Sequence, residues 1–307
     1  MLLRIGTRGS KLALTQSEWV KAEIEARHPD VQVTLVRIKT KGDKVLDSPL
    51  SKIGGKGLFV KEIEEALLRK EVDLAVHSMK DVPAVLPDGL GLSVFPPRED
   101  PRDALVCRGC TSLEGLPRRA SVGTGSLRRS AQLLHVRPDL RVVPMRGNVD
   151  TRLRKLDSGE LHAIVLAVAG LKRLKLSHRI SHILHPETLL PAIGQGALGL
   201  ELRQGDHVVH DCLAFLNHEE TELTVRAERA FLKELEGGCQ VPVAAHGRLD
   251  RDMMVLTGMV AELDGSVLIK DDMRGDRGDP EHVGIELARK LLASGADKIL
   301  ARIYGRG

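Results

Sequence analysis

The chain opens on an apolar run, residues 2–6, which the polar turn GTRGS closes. A short apolar run ending at glycine fits a buried strand. Ser10 stands where a helix N-cap belongs. Leu12, Leu14, Trp19 and Ile24 then recur at a spacing that gathers them on one broad helical face. Segment 31–38 alternates well enough for a second strand. Segment 57–70 has a helical pattern in Leu58, Ile63, Ala66 and Leu67, and 73–77 is a third strand-like run. The order β-α-β-α-β predicts an α/β sheet with crossover helices.

Pro96-Pro97 and the polar stretch 98–102 interrupt this pattern and mark a boundary. A second alternation follows: strands at 104–107, 120–122, 140–143 and 163–167, helices at 127–136 and 149–157. Two similar α/β lobes with a cleft between them are expected. From Thr221 the pattern changes to a helix at 222–235, strands at 243–249, 254–260 and 266–271, and a last helix at 281–292. This reads as a smaller α+β unit.

A chain of 307 residues suits two or three domains and can bury its cores without metals or disulfides. With one Trp, one Tyr and four Phe, those cores must be built from Leu, Val, Ile and Ala. A net charge of only +4 argues against a general polyanion binder, and a nucleic-acid binder would show dispersed basic and aromatic surfaces. The N-terminus does not read as a signal peptide, and no stretch has the ~18 apolar residues of a membrane span. A cytoplasmic location follows as the expectation. In that reducing setting a disulfide framework is not expected. Cys107 and Cys110 form a lone CxxC, a weak zinc or redox signal, and no metal is expected. Cys212 lies in the apolar-patterned segment 208–216 and is expected in a core.

Candidate chemistry sits beside turns. Arg8 follows the first strand, and ligands of open α/β sheets bind at the carboxyl ends of strands. Segment Ser121-Val122-Gly123-Thr124-Gly125-Ser126-Leu127-Arg128-Arg129 runs from a strand through a glycine-rich turn into a helix, where free N–H groups attract anions. Ser126 is the expected N-cap. Arg128 and Arg129 add positive charge where the helix dipole disfavours it. Either a bound anion compensates them, or the helix is plainly capped with solvated arginines. Arg146 follows a later strand, and Arg152 lies six residues on. Five arginines at similar places, each suited to bidentate bonds with carboxylate or phosphate, point to a polyanionic ligand.

Two glycine-rich segments fail as nucleotide motifs. Gly54-Gly55-Lys56-Gly57 lacks P-loop spacing, and Arg128 stands where a dinucleotide fingerprint needs its third glycine. The first reads better as a mobile loop over 42–57 carrying Lys52 and Lys56. His77-Ser78-Met79-Lys80-Asp81-Val82-Pro83 leaves the end of a buried strand. Asp81 there is a catalytic acid/base candidate or, more blandly, a turn Asp before Pro83. Glu236-Gly237-Gly238-Cys239 ends a helix with an uncrowded thiol, which suits a reactive cysteine, although a lone loop Cys is more often inert.

Taken together, GTRGSKLAL, GGKGLF, HSMKDVP, REDPRDALV, VGTGSLRR, RGNVDTRL, PAIGQGAL and EGGCQVPVAAH resemble the signature segments of the porphobilinogen deaminase (hydroxymethylbilane synthase) family, in the family's order. The match runs from about Arg4 to His246. The resemblance implies three domains: 1–96 plus 197–215 and 97–196, both like type II periplasmic-binding-protein lobes, and a small α+β domain at 216–307. It implies a dipyrromethane cofactor joined to Cys239 by a thioether, so the sulfur is a tether and the free end of the cofactor is the nucleophile. Four porphobilinogen molecules each lose ammonia and add head to tail, and water releases hydroxymethylbilane. A six-ring chain carries about twelve carboxylates, which arginines answer with charge-assisted bonds.

By the same resemblance, Ser78, Lys80, Asp81, Thr124, Ser126, Arg128, Arg129 and Arg146 hold the cofactor with Cys239. Arg8, Gln16, Lys52, Lys56, Phe59, Arg146 and Arg152 bind substrate. Asp81 and Arg8 are the catalytic pair, with Asp81 bonding the pyrrole N–H groups and Arg8 moving a proton to the departing amine. Phe59 stacks on a pyrrole or serves the core, and His77 is structural. A monomer is implied. The rival reading is a two-lobed solute-binding protein for a polycarboxylate, which would need a secretion signal but no exposed cysteine.

Overall fold

The computed structural model describes residues 1–44, 57–235 and 241–305. The first lobe begins with β1 (Leu2–Thr7), α1 (Lys11–Arg27) and β2 (Gln32–Arg37). A short α2 (Lys41–Lys44), then α3 (Lys61–Leu68), β3 (Leu74–Ser78) and β4 (Leu90–Val94) follow. Ser10 caps α1 as expected, its hydroxyl accepting the Ala13 N–H. The buried stripe of α1 is Gln16, Ser17, Val20 and Ile24, so Trp19 points outward at 40% exposure, against expectation. One residue from Val20 is about 100° round the helix, enough to leave the buried face.

The second lobe comprises β5 (Asp103–Cys107), β6 (Ser121–Thr124), α4 (Leu127–Val136), β7 (Arg141–Pro144), α5 (Val149–Asp157), β8 (Ala163–Ala167), α6 (Val168–Arg173) and β9 (His182–Leu184). The chain then returns to the first lobe as β10 (Leu198–Arg203) and α7 (His207–Leu213). The sheets are ordered β2-β1-β3-β10-β4 and β7-β6-β8-β5-β9. In each, three parallel strands are joined by one antiparallel strand, β10 or β5. That strand is in both cases the first one laid down after the chain crosses between lobes. Sequence patterning alone indicates neither β4 nor β9, since both are short edge strands.

The crossing segments touch. Glu99 N–H donates to Gly196 O and Met79 N–H to Ala197 O. Gly194 and Gly196 have φ of +69° and +87°, a region that favours glycine. A Cβ on Gly194 would lie 2.7 Å from Met79 Cβ, and one on Gly196 would collide with the Glu99 carbonyl.

The third unit is α8 (Glu219–Glu234), an antiparallel meander β11 (Val243–Asp250), β12 (Met253–Ala261) and β13 (Leu268–Asp276), then α9 (Pro280–Leu291) and α10 (Asp297–Tyr304), a helix the sequence pattern does not announce. Phe231, Leu256 and Leu287 centre its core. It touches both lobes. Arg229 of α8 donates to the Pro83 carbonyl of the first lobe, Arg98 of the second forms a bidentate pair with buried Glu228 of α8, and His135 of α4 donates to the Gly265 carbonyl in the β12–β13 turn.

Cys212 is buried as expected. Cys107 and Cys110, for which no disulfide was expected, are joined across 5.8 Å between their Cα atoms. Gly109, at φ +73°, lets the chain bend back between them. Among the described residues no cluster of His, Cys, Asp or Glu is arranged to hold a metal, and no helix is long and apolar enough to cross a membrane.

Candidate active site

Four strand ends, those of β3, β6, β7 and β1, carry the site. β3 ends at Ser78, and a single 3₁₀ turn, Met79–Asp81, follows. Met79 is buried beneath it with Val82, Phe95, Ala197 and Val225, which leaves Lys80 and Asp81 half-buried at the surface of the turn. Among the described residues neither side chain forms a hydrogen bond or ion pair. Burial pushes the Lys80 ammonium down to about 8, with Asp81 opposing the shift and Arg129 and Arg128 adding to it.

β6 ends at Thr124, whose hydroxyl accepts the Ser126 N–H at 3.2 Å. Ser126 has the extended backbone of an N-cap, but its side chain makes no capping bond. The conflict of two arginines in a helix's first turn is resolved by the protein itself, through Asp103 at the start of β5. Arg128 Nη1 lies 2.6 Å from Asp103 Oδ2, and Arg129 Nη2 lies 2.6 Å from Oδ1. Arg128 also reaches Leu190 O, Arg129 reaches Val165 O, and Gln195 Oε1 accepts from both. Burial would raise the Asp103 carboxyl, yet the two guanidiniums overcome it and hold the group far below the usual range. Two cations share one carboxylate, so the cluster keeps a net positive charge. Among the described residues, Arg128 Nε is buried with no partner.

β7 leads to Arg146 and to α5, which carries Arg152. Arg152 Nε donates to Gly147 O at 2.9 Å. Burial lowers this guanidinium to about 10, with Arg129 and Arg146 pushing the same way and Asp81 opposing. The fields of Lys80, Asp81, Arg128, Arg129, Arg146 and Arg152 therefore act on one another across the cleft. Five cations meet two carboxylates, Asp81 and Asp103, there.

Arg8 follows β1, with its guanidinium 4.2 Å from the centroid of the Phe59 ring. A face of Phe59 is thus occupied by Arg8, a cation–π contact, where the sequence suggested pyrrole stacking or a core role. Gln16 is 4% exposed, and its Nε2 has no partner among the described residues. Ser78 is half-buried at the end of β3. Lys52, Lys56 and Cys239, with most of the 42–57 loop, lie outside the described residues.

Sequence reasoning missed three contributors. Asp103 is one, though a charged residue opening the buried strand DALVC was a usable signal. Gln195 is another, fully buried and bonded to Asp103, Arg128 and Arg129. The third is Arg173, at the end of α6, which donates to Gly196 O at 2.7 Å and is lowered to about 10 by burial against the opposing pull of Glu99. His77 donates to Glu201 at 2.8 Å, both buried, in keeping with a structural role.

Residues 3–211 match the family model described as porphobilinogen deaminase, dipyromethane cofactor binding domain, and residues 222–293 match porphobilinogen deaminase, C-terminal domain. The chain is 57% identical over 304 residues to a protein of Geobacter metallireducens named porphobilinogen deaminase, covering 99% of this chain and 95% of that one. It is 58% identical over 301 residues to one so named from Syntrophotalea carbinolica, covering 98% and 96%. Among solved structures, similar chains include a TRAP periplasmic solute binding protein from Desulfovibrio salexigens, at 14% identity, TM-score 0.44 and coverage of 72% and 74%. The aliphatic sulphonate binding protein SsuA of Escherichia coli is similar at 14% identity and TM-score 0.40, covering 76% of this chain and 70% of that one.

Proposed function

The chain belongs to the porphobilinogen deaminase family, and on that premise we propose that it is a transferase that deaminates porphobilinogen, joins four of the resulting units head to tail, and releases hydroxymethylbilane. The observation that carries this reading is the concentration of cations around one open aspartate. A product of linked rings, each with two carboxylates, needs many fixed donors, and Lys80, Arg128, Arg129, Arg146 and Arg152 supply them. The unpartnered Arg128 Nε and the unpaired Lys80 fit a dipyrromethane with its four acid groups. That cofactor, tethered through a thioether to Cys239, supplies the free pyrrole carbon on which the chain is built.

The protein's own residues do the rest. Ser78, Lys80, Thr124, Ser126, Arg128, Arg129 and Arg146 hold acid groups of the cofactor. Arg8, Gln16, Lys52, Lys56, Phe59, Arg146 and Arg152 receive the incoming substrate. Asp81 accepts pyrrole N–H bonds and stabilises the positive charge that develops as ammonia leaves. A unit charge about 4 Å away, at an effective dielectric near 20, contributes roughly 4 kcal/mol, on the order of a thousandfold in rate. Arg8 passes a proton toward the departing amine. The domain limits that fit the three sheets are 1–96 with 197–215, 97–196, and 216–307. A cytoplasmic monomer without nucleic-acid partners completes the reading.

Intact-mass measurement of the purified protein tests the tether. A dipyrromethane-sized adduct on the Cys239 peptide is expected, and an active protein without one overturns that assignment. Near-wild-type turnover in Asp81→Asn removes Asp81 from the chemistry.

A further inference from the structure

Arg229 of α8 has no carboxylate partner among the described residues. Its guanidinium instead faces three successive backbone carbonyls: Val82 O at 3.5 Å, Pro83 O at 2.8 Å and Ala84 O at 3.1 Å. Burial lowers it to about 10, against the pull of Glu201, so it stays charged at neutral pH. Even a partly buried cation without an anion is costly. Carbonyl dipoles from one short segment recover part of that cost only if the segment holds one conformation.

That segment begins one residue after Asp81. The same face of α8 presents Val225, one turn earlier, to the cluster holding Met79 and Val82. On the other side, Gly194 and Gly199 press on Met79: a Cβ at Gly194 would come within 2.7 Å of Met79 Cβ and 3.2 Å of Lys80 N. Apolar packing thus fixes the turn from within, and Arg229 fixes its exit. In sequence, α8 ends at Glu234, five residues before Cys239.

We infer that Arg229 is a positioning residue for the proposed reaction, through which α8 holds the Met79–Asp81 turn so that Asp81 meets the reacting pyrrole. The inference rests on Asp81 being the central acid of the proposed mechanism. Misplacement of such a group by about 1 Å costs up to about a hundredfold.

The test uses full-length protein with cofactor loading verified by intact mass. In Arg229→Gln, kcat per loaded molecule is expected to fall about tenfold or more with KM little changed. Amide exchange in peptides spanning 79–86 is expected to quicken while the β12–β13 peptides stay as they are. Arg229→Lys, which keeps the charge but not the fork, recovers part of both effects and decides the matter should Arg229→Gln not fold. Wild-type kcat with a lowered melting temperature makes Arg229 merely structural and overturns the inference, as does unchanged exchange over 79–86. Asp81→Asn run alongside separates the two claims. An active Asp81→Asn sinks the mechanism, whereas an inactive Asp81→Asn with a fully active Arg229→Gln sinks only the positioning role.

Discussion

The turn after β3 and the turn after β6 both deliver cations to the cleft, and they treat them in opposite ways. After β6, Arg128 and Arg129 are locked to Asp103, Leu190 O, Val165 O and Gln195. After β3, Lys80 and Asp81 sit side by side without a hydrogen bond among the described residues. One turn is finished by the fold, and in the proposed reading the other is completed by a ligand. The difference teaches that burial of charge and availability of charge are separate properties. A locked guanidinium is preorganised and loses little entropy on binding, while a carboxylate and ammonium on a fixed turn keep their hydrogen-bonding capacity free for charge that appears during reaction.

That contrast breaks most sharply through rate. Asp81→Asn is expected to cost about a thousandfold in kcat and under about 0.5 kcal/mol in stability, read by single-turnover kinetics and by urea melts. Asp103→Asn reverses the pattern. It leaves two buried guanidiniums without their carboxylate, and about 3 kcal/mol of stability should be lost. The same melts check it, and a loss much smaller than this would mean that Gln195 and the carbonyls suffice.

Glu64 sharpens the picture of the lobe beneath the open turn. Burial, reinforced by Glu201, raises its carboxyl to about 7. The folded state then binds a proton that the unfolded state releases near 4.3. Stability contributed by that proton is complete below the unfolded value and fades as pH rises through 7. Glu64→Gln, which keeps the neutral shape, should stabilise the protein at pH 8 by about 2 kcal/mol and change little at pH 4, as thermal melts at the two pH values will tell.

The smallest effect concerns Lys80, pushed down to about 8. An unfolded lysine keeps its proton to about 10.4, so between these values the unfolded state binds more protons and stability of the cofactor-free protein rises with pH. Anion affinity falls over the same window. Amine acetylation followed by peptide mass should be half-maximal near pH 8 for Lys80 and about two pH units higher for exposed lysines. Equal profiles would show that the turn is as wet as the surface.

Most elements were legible because they are local. The strands at 163–167 and 243–249, the helix at 127–136 and the Ser10 cap each follow from a pattern within a dozen residues. Arg8, Arg128, Arg129, Arg146 and Arg152 were visible as site candidates because each follows a strand or opens a helix. Trp19 was misplaced because a helix's buried stripe is chosen by what packs on it. The role of Asp103 was hidden because its partners lie 25 and 26 residues away.

By itself, the sequence determined two α/β alternations, a third smaller unit, and a set of cations at strand ends. Only the tertiary structure decided that β10 lies between β3 and β4, that one carboxylate serves two arginines, and that α8 grips the carbonyls beyond Asp81. The physical reason is range. Propensity and periodicity act over a few residues, whereas charge compensation here reaches across about 25 residues, and strand pairing and the grip of α8 join segments more than a hundred residues apart.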